Sequence, residues 1–406
     1  LRSLIRSEIL SLHLISIRMS KLVFVSTMPI LRKDYERYGI KFFLKKKVEV
    51  QFWYFHELIF KNLKFKKNEF KDIKIINHTK KKEIIDNLKK AGNETKFIIT
   101  AYPSDENYFI FEAISNSNFQ IIMVNLSMYP SSKFTISEKI RLSLLNPKVT
   151  YNQIKTKIKK KLNISKEFKP DIIFSSGSIS RKKYIDNLSK NAKIIDCNSY
   201  DYDKFLRQTK NNSIGVKNNI LQSNFIAYLD NFLPFHTDQT ISGYSEKNCN
   251  PKIFYREINN YFSYIENLYS AKIIILAYPK SQYDVSKNPF ENRKIIYGNT
   301  IEYVKHSSLV LTHNSTSVNF AALHKKPINF ISSDNYSTDL KVSIRAMASE
   351  FNKFPILISR KLIEKKEIIS EETYKKYIKN YIVSRNKSDL QKYSYQIIYN
   401  NLFSKN

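Results

Sequence analysis

The stretch SLVLTHNSTSVNFAALHKKPINFI, residues 308–331, decides how the rest of the chain is read. Residues 308–312 form a short apolar run closed by polar residues, the pattern of a strand buried on both faces. Asn314, Ser315, Thr316 and Ser317 follow. Val318, Phe320, Ala321, Ala322 and Leu323 then recur at helical spacing, until Pro327 and a second apolar run at 328–331. Upstream, residues 272–277, closed by Tyr278-Pro279, and 294–297, closed by Gly298, read as two more strands, and 300–306 as a short helix. Strands alternating with helices predict the α/β class and a parallel sheet. The tetrad at 314–317 lies between a strand and a helix. Unpaired N–H groups and the positive end of a helix dipole make such a junction a site for a phosphate. A plain N-cap accounts for one hydroxyl. Three in a row, at the carboxyl edge where open α/β sheets bind ligands, point to binding.

This arrangement resembles the C-terminal half of GT-B glycosyltransferases from bacterial surface-polysaccharide loci (capsule, O-antigen, lipooligosaccharide). It is most similar to the branch that uses CMP-activated acidic sugars, the sialyl- and Kdo-type transferases. In that branch a His-Pro and a Ser-Ser/Thr motif hold the nucleotide phosphate. Here Tyr278-Pro279 stands where His-Pro would be, and Ser315-Thr316 or Thr316-Ser317 where Ser-Ser/Thr would be. Tyr278 is a departure: a phenol donates one hydrogen bond but carries no positive charge near neutral pH. Lys280 or His313 would then supply the charge. The resemblance covers the last half of the chain; the first half matches in layout only. It implies two Rossmann-like domains facing across a cleft, C-terminal helices, a nucleotide-sugar donor, and transfer without a metal or other cofactor.

At 406 residues two domains are expected, and 42% hydrophobic residues are enough for real cores. No run of about 18 apolar residues free of charge occurs, so a spanning helix is not expected. The net charge of +32 suits a polyanion, an anionic membrane surface or a nucleotide-linked substrate. It also fits a general Lys-, Ile- and Asn-rich composition with only 6 glycines. No nucleic-acid motif accompanies the charge, so no nucleic-acid partner is expected. Cys197 and Cys249 lack metal-ligand spacing and point to a reducing compartment; the histidines form no metal motif.

Residues 1–18 mix Ile and Leu with Arg and lack a clean signal-peptide core, which favours a native start at Met19; a basic amphipathic anchor is the alternative. Residues 19–209 read as the N-terminal, acceptor-side Rossmann-like domain. Its strands are expected at 21–27, 48–54, 96–101, 119–126, 171–174 and 193–196, and its helices at 32–47, 80–90, 136–145 and 151–161. The loop after the first strand has no GxGxxG, which disfavours a dinucleotide enzyme. Ala101-Tyr102-Pro103 echoes Ala277-Tyr278-Pro279. Asp105 and Glu106, just beyond, are candidate bases for the acceptor hydroxyl, or else part of a solvated turn. Lys155, Lys157, Lys159, Lys160 and Lys161 suit an anionic bilayer or simply a solvated helix face. Residues 175–178 are a second hydroxyl-rich turn. Residues 210–223 read as a linker, and 224–406 as the nucleotide-sugar domain. Its first strand, 224–229, runs into a loop with His236 and Asp238, candidates for proton transfer or acceptor positioning. Residues 250–269 form an amphipathic helix, and 340–351, 371–383 and 389–403 three more; in GT-B proteins the last helix commonly returns to the first domain.

The resemblance implies a metal-independent transferase acting on a glycan or lipid-linked acceptor, in the cytoplasm and in peripheral contact with the inner membrane. Two alternatives share the architecture: a CDP-polyol phosphotransferase, which would rely on histidines, and a non-catalytic glycan- or membrane-binding module with a decayed GT-B fold.

Overall fold

A computed structural model describes residues 20–60, 69–101, 104, 106–130, 133–145, 147, 150–151, 154, 158, 170–179, 191–210, 224–236, 248–281, 283–284, 287–360 and 368–404. The leader, the linker beyond Lys210, the lysines at 155–161, and Tyr102, Pro103, Asp105 and Asp238 lie outside the described residues.

The strands form two sheets. The first holds β1 (Lys21–Ser26), β2 (Glu49–Tyr54), β3 (Lys74–Asn77), β4 (Thr95–Ile99), β5 (Ile121–Asn125), β6 (Ile172–Ser176) and β7 (Lys193–Cys197). The second holds β8 (Phe225–Leu229), β9 (Lys272–Leu276), β10 (Ile295–Ile296), β11 (Leu309–Thr312), β12 (Ile328–Ser332) and β13 (Ile356–Leu357). All pairings are parallel. The orders are β3-β2-β1-β4-β5-β6-β7 and β10-β9-β8-β11-β12-β13. In each, the chain winds outward in one direction from a central strand and then restarts on its other side. This is the doubly wound, Rossmann-like α/β topology, with a switch point at β1/β4 and another at β8/β11. Central strands such as β6 and β8 are buried along their whole length, which is why they read as unbroken apolar runs.

The chain divides into two compact units. Described residues within 1–126, 168–203 and 384–406 make the first, and those within 127–167 and 204–383 the second. The terminal helix Ser394–Leu402 therefore belongs to the first unit. Tyr395, Tyr399 and Phe403 pack against Phe42 and Phe43 with ring centroids 5.2–6.2 Å apart. Asn198, fully buried, clamps the approach to this helix: its Nδ2 donates to the carbonyls of Asp389 (2.7 Å) and Lys392 (2.9 Å), and its Oδ1 accepts from Ser384 N–H at 2.9 Å. Asp203 accepts from the backbone N–H of Ser394 at 2.8 Å and from its hydroxyl.

Several boundaries depart from the sequence pattern. The single helix expected over 32–47 is two, Arg32–Arg37 and Ile40–Lys45, because Gly39 adopts a left-handed φ of 65° between them. The helix expected over 389–403 starts at Ser394, after a short 3-10 turn at Lys387–Asp389. β3 falls at the edge of a stretch too basic to read as a strand, and β13 is only two residues long. The helices Tyr108–Asn116 and Tyr200–Lys210 are additional to the sequence pattern; Ser199 opens the second, its Oγ accepting from Tyr202 N–H at 3.2 Å, with Asp201 and Asp203 in the first turn. In the second unit the expected amphipathic helix is Pro251–Tyr269. Asn250 caps it, its Oδ1 accepting from Lys252 N–H (3.0 Å) and Ile253 N–H (3.3 Å), and Phe254, Ile258, Tyr261, Phe262 and Ile265 face the core. Among the described residues no helix is long and apolar enough to cross a membrane.

Candidate functional site

The second unit's switch point lies between β8 and β11, and the segments leaving the carboxyl ends of β8, β9 and β11 meet there. β8 delivers Asp230 and Asn231. Asp230 is buried and has no cation beside it among the described residues. Its oxygens accept from Phe232 N–H (2.9 Å), the Tyr283 hydroxyl (2.7 Å) and Tyr278 N–H (3.4 Å). Burial raises its pKa above the usual carboxylate range, while these donors work in the opposite direction. Asp230 thus ties the loop after β9 to the loop after β8. Phe232, next to it, holds a left-handed φ of 53°, strained for a side chain of that size. Non-glycine residues in this region recur at binding and catalytic sites.

Asn231 makes the link to β11. Its Nδ2 donates to Asn314 Oδ1 at 2.9 Å, and Asn314 Nδ2 donates to Ser343 Oγ at 2.9 Å on the helix Thr338–Ser349. The Asn231 Oδ1 atom is itself buried and has no hydrogen-bond partner among the described residues. A buried orphan acceptor costs about 1–3 kcal/mol, a cost that a ligand donor or a water would remove.

Ser315 Oγ accepts from Ser317 N–H at 3.3 Å. The N–H groups of Val318, Asn319 and Phe320 bond to the carbonyls of Ser315, Thr316 and Ser317. Four donors expected to be open are therefore used within the turn. Those of Ser315 and Thr316 have no partner among the described residues and remain for an outside acceptor, with the exposed Thr316 side chain beside them. Ser317 occupies the cap position of the helix Val318–Leu323 without a side-chain cap bond.

His313 is not the cation expected of it. It is wholly buried. Nδ1 donates to the Ile331 carbonyl at 2.8 Å and Nε2 accepts from the Tyr228 hydroxyl at 3.1 Å, which fixes a neutral tautomer. Burial pushes its pKa down to about 4. It is a core histidine that fastens β11 to β12 and cannot supply the positive charge that Tyr278 lacks. Lys280 is exposed beyond β9, as is Pro279. Tyr278 is half-buried, and the ring of His236 packs on it with centroids 5.0 Å apart. The structure thus brings His236, Tyr278, Asp230 and Tyr283 into one chain of contacts. Glu106, in the first unit, is exposed in the turn that opens the helix Tyr108–Asn116. Ser175 and Ser176 are the buried end of β6 and do not form an open turn. Among the described residues no group of His, Cys, Asp and Glu could hold a metal ion.

No family model matches the chain, and no curated protein matches it. Solved structures do resemble it. UDP-GlcNAc 2-epimerase from Neisseria meningitidis, bound to UDP-GlcNAc, shares 10% identity over 95% of this chain and 100% of that one, with a TM-score of 0.49. UDP-GlcNAc 2-epimerase from Methanocaldococcus jannaschii shares 14% over 95% and 100%, with a TM-score of 0.46. MurG from Acinetobacter baumannii shares 6% over 94% and 99%, with a TM-score of 0.43. These are likenesses of shape at low identity, and what this chain binds rests on its own residues.

The sequence pointed to 314–317 and passed over Asp230, Asn231 and Tyr283. Its available signal was an Asp-Asn pair closing a buried strand, the position where open sheets present ligand groups. Tyr283 had none: its partner is 53 residues away.

Proposed function

We propose that this chain is a GT-B-type glycosyltransferase that moves a sugar from a nucleotide donor to a growing surface glycan, without a metal ion. A CMP-linked acidic sugar is the first donor to test, and a lipid-linked glycan at the cytoplasmic face of the inner membrane the first acceptor. The observation that carries the reading is the unsatisfied Asn231 Oδ1 at the β8/β11 switch point, beside Asn314 and the unused N–H groups of Ser315 and Thr316. An acceptor and two donors converging at a sheet's switch point suit the sugar hydroxyls and phosphate of a nucleotide. The same N–H groups, with Lys280 adding charge, would stabilise negative charge on the departing nucleotide. Asp230, through Tyr283 and Tyr278, sets the loop that carries Lys280. His236, packed on Tyr278, is the candidate base for the acceptor hydroxyl; Asp238, Asp105 and Glu106 are the other candidates. The first unit would take the acceptor. The burial of His313 counts against the polyol-phosphate alternative, which needs histidines free for phosphoryl chemistry.

The test is thermal unfolding with CMP, CDP and UDP in turn. One of them should raise the midpoint, by mass action on the folded state. Asn231→Asp, which places a negative charge against the phosphate, should weaken that nucleotide about tenfold or more, and Ser315→Ala with Thr316→Ala by less, since the backbone donors remain. If no nucleotide protects the wild-type chain, the donor site is absent and the decayed-module reading takes its place.

A further inference from the structure

We propose that the outer face of the helix Ile136–Leu145 docks on an anionic lipid surface. This does not depend on the sugar-transfer reading. Ile136, Ile140 and Leu144 are 77%, 56% and 77% exposed, and the helix buries none of its residues. Residues four apart lie one above another, so the three form a single stripe along solvent. Lys139 and Arg141, both exposed, fall on either side of that stripe at 3.6 residues per turn.

The helix's one acidic residue is turned the other way. Glu138 accepts from both terminal guanidinium nitrogens of Arg345 at 3.0 Å, on the helix Thr338–Ser349 of the same unit. Glu138 also accepts from Thr135 N–H at 2.8 Å, while its own N–H donates to Thr135 Oγ1 at 3.3 Å, which closes the helix start. The Arg345 pair fixes the rotation of the helix. It keeps the apolar stripe outward and turns the helix's one negative charge away from that side.

An apolar stripe between cations, with no acid, is the pattern of a helix lying in a membrane interface: the side chains enter the headgroup boundary and the cations meet anionic lipids. Charge also decides against a second copy of the chain as occupant. A two-fold contact would set Lys139 and Arg141 against their own counterparts in molecules of formal charge +32. Tyr151, Ile154 and Ile158, further along the chain, are exposed as well.

The test uses the full chain and vesicles of phosphatidylglycerol with phosphatidylcholine, against phosphatidylcholine alone. The wild type should pellet with the first and not with the second. Ile136→Ser, Ile140→Ser and Leu144→Ser together alter only exposed positions, and should weaken binding about tenfold or more with an unchanged circular dichroism spectrum. Lys139→Glu with Arg141→Glu should abolish the preference for anionic vesicles. In Leu144→Trp, emission should shift to the blue on adding anionic vesicles; the one native tryptophan, Trp53, is buried. A triple serine variant that pellets like the wild type, or an emission spectrum of Leu144→Trp that is indifferent to vesicles, overturns the proposal. So does a wild-type oligomer that the serine variant dissolves without any vesicle binding, which would make the face a protein interface.

Discussion

The strand before Ala101 and the strand before Ala277 end in the same letters, Ala-Tyr-Pro, yet the two hold different places in their sheets. β4 lies beyond the switch point of the first sheet, between β1 and β5, whereas β9 lies on the near side of the second, between β8 and β10. The topological counterpart of β9 is β2, which runs into Phe55 and the buried His56; that of β4 is β11, which runs into His313 and Asn314. Place in the winding order, not local wording, sets what a loop can do. The two units also differ in what holds them. The first is closed on its terminal helix, by an aromatic seam and by the polar clamps of Asn198 and Asp203. The second is laced by polar groups: His313 between strands, Glu257 accepting from Ser333 and Asn335, and Arg293 over the ring of Phe262 with Glu266, Asn259 and Ser263 around it.

This contrast can be broken by experiment, because Trp53 is the chain's one tryptophan and lies buried in β2 of the first unit. Its fluorescence follows that unit, while far-ultraviolet circular dichroism follows both. The largest effect is expected from Arg293→Met. The guanidinium is 9% exposed and donates to Glu266 at 2.7 Å; its loss leaves the 24% exposed Glu266 carboxylate with the Ile273 N–H alone, and Asn259 and Ser263 without this donor, together about 3–5 kcal/mol. Denaturant should then unfold the dichroism signal early and leave the Trp53 transition in place; a shift of both together would mean the units melt as one.

Gly39→Ala is the reciprocal case. A Cβ there would run into the ring of Tyr395 at a left-handed φ, a strain and overpacking cost of about 3 kcal/mol. It should move the Trp53 transition and leave the second unit's share of the dichroism transition in place.

The smallest effect is in acid. Burial holds His78 in the first unit, and His313 and His324 in the second, near pKa 4. A histidine whose folded pKa is depressed contributes its full stability above about pH 6.5, and that contribution is lost as pH falls through 4. Both units should weaken over that window. The second should lose roughly 1 kcal/mol more, because it has one such histidine more and His324 is partly screened by solvent. Equal losses followed by the two signals would erase the distinction.

Much of the fold was legible because its cause is local. Buried parallel strands must be apolar along their length, so β1, β8, β9, β11 and β12 stood out, and the helix Pro251–Tyr269 declared itself by its 3.6-residue period and its Asn250 cap. The hydroxyl tetrad was legible as a place, not as a function. How many of its N–H groups the turn consumes depends on backbone geometry that composition does not specify. What remained hidden depends on partners far along the chain. Gly39 divides a helix beneath a ring some 350 residues later in the chain, a separation no local pattern encodes. His313 looked like a cation for a phosphate until β12 and Tyr228 enclosed it, and a low-dielectric surround removes the charge. By itself the sequence determined two Rossmann-like halves and the strand-to-helix junction at 314–317, since periodicity follows from the backbone alone. Only tertiary structure decided which side chains meet at the β8/β11 switch point and which apolar stripe stays in water. Those outcomes are set by burial and pairing between residues that the chain itself keeps far apart.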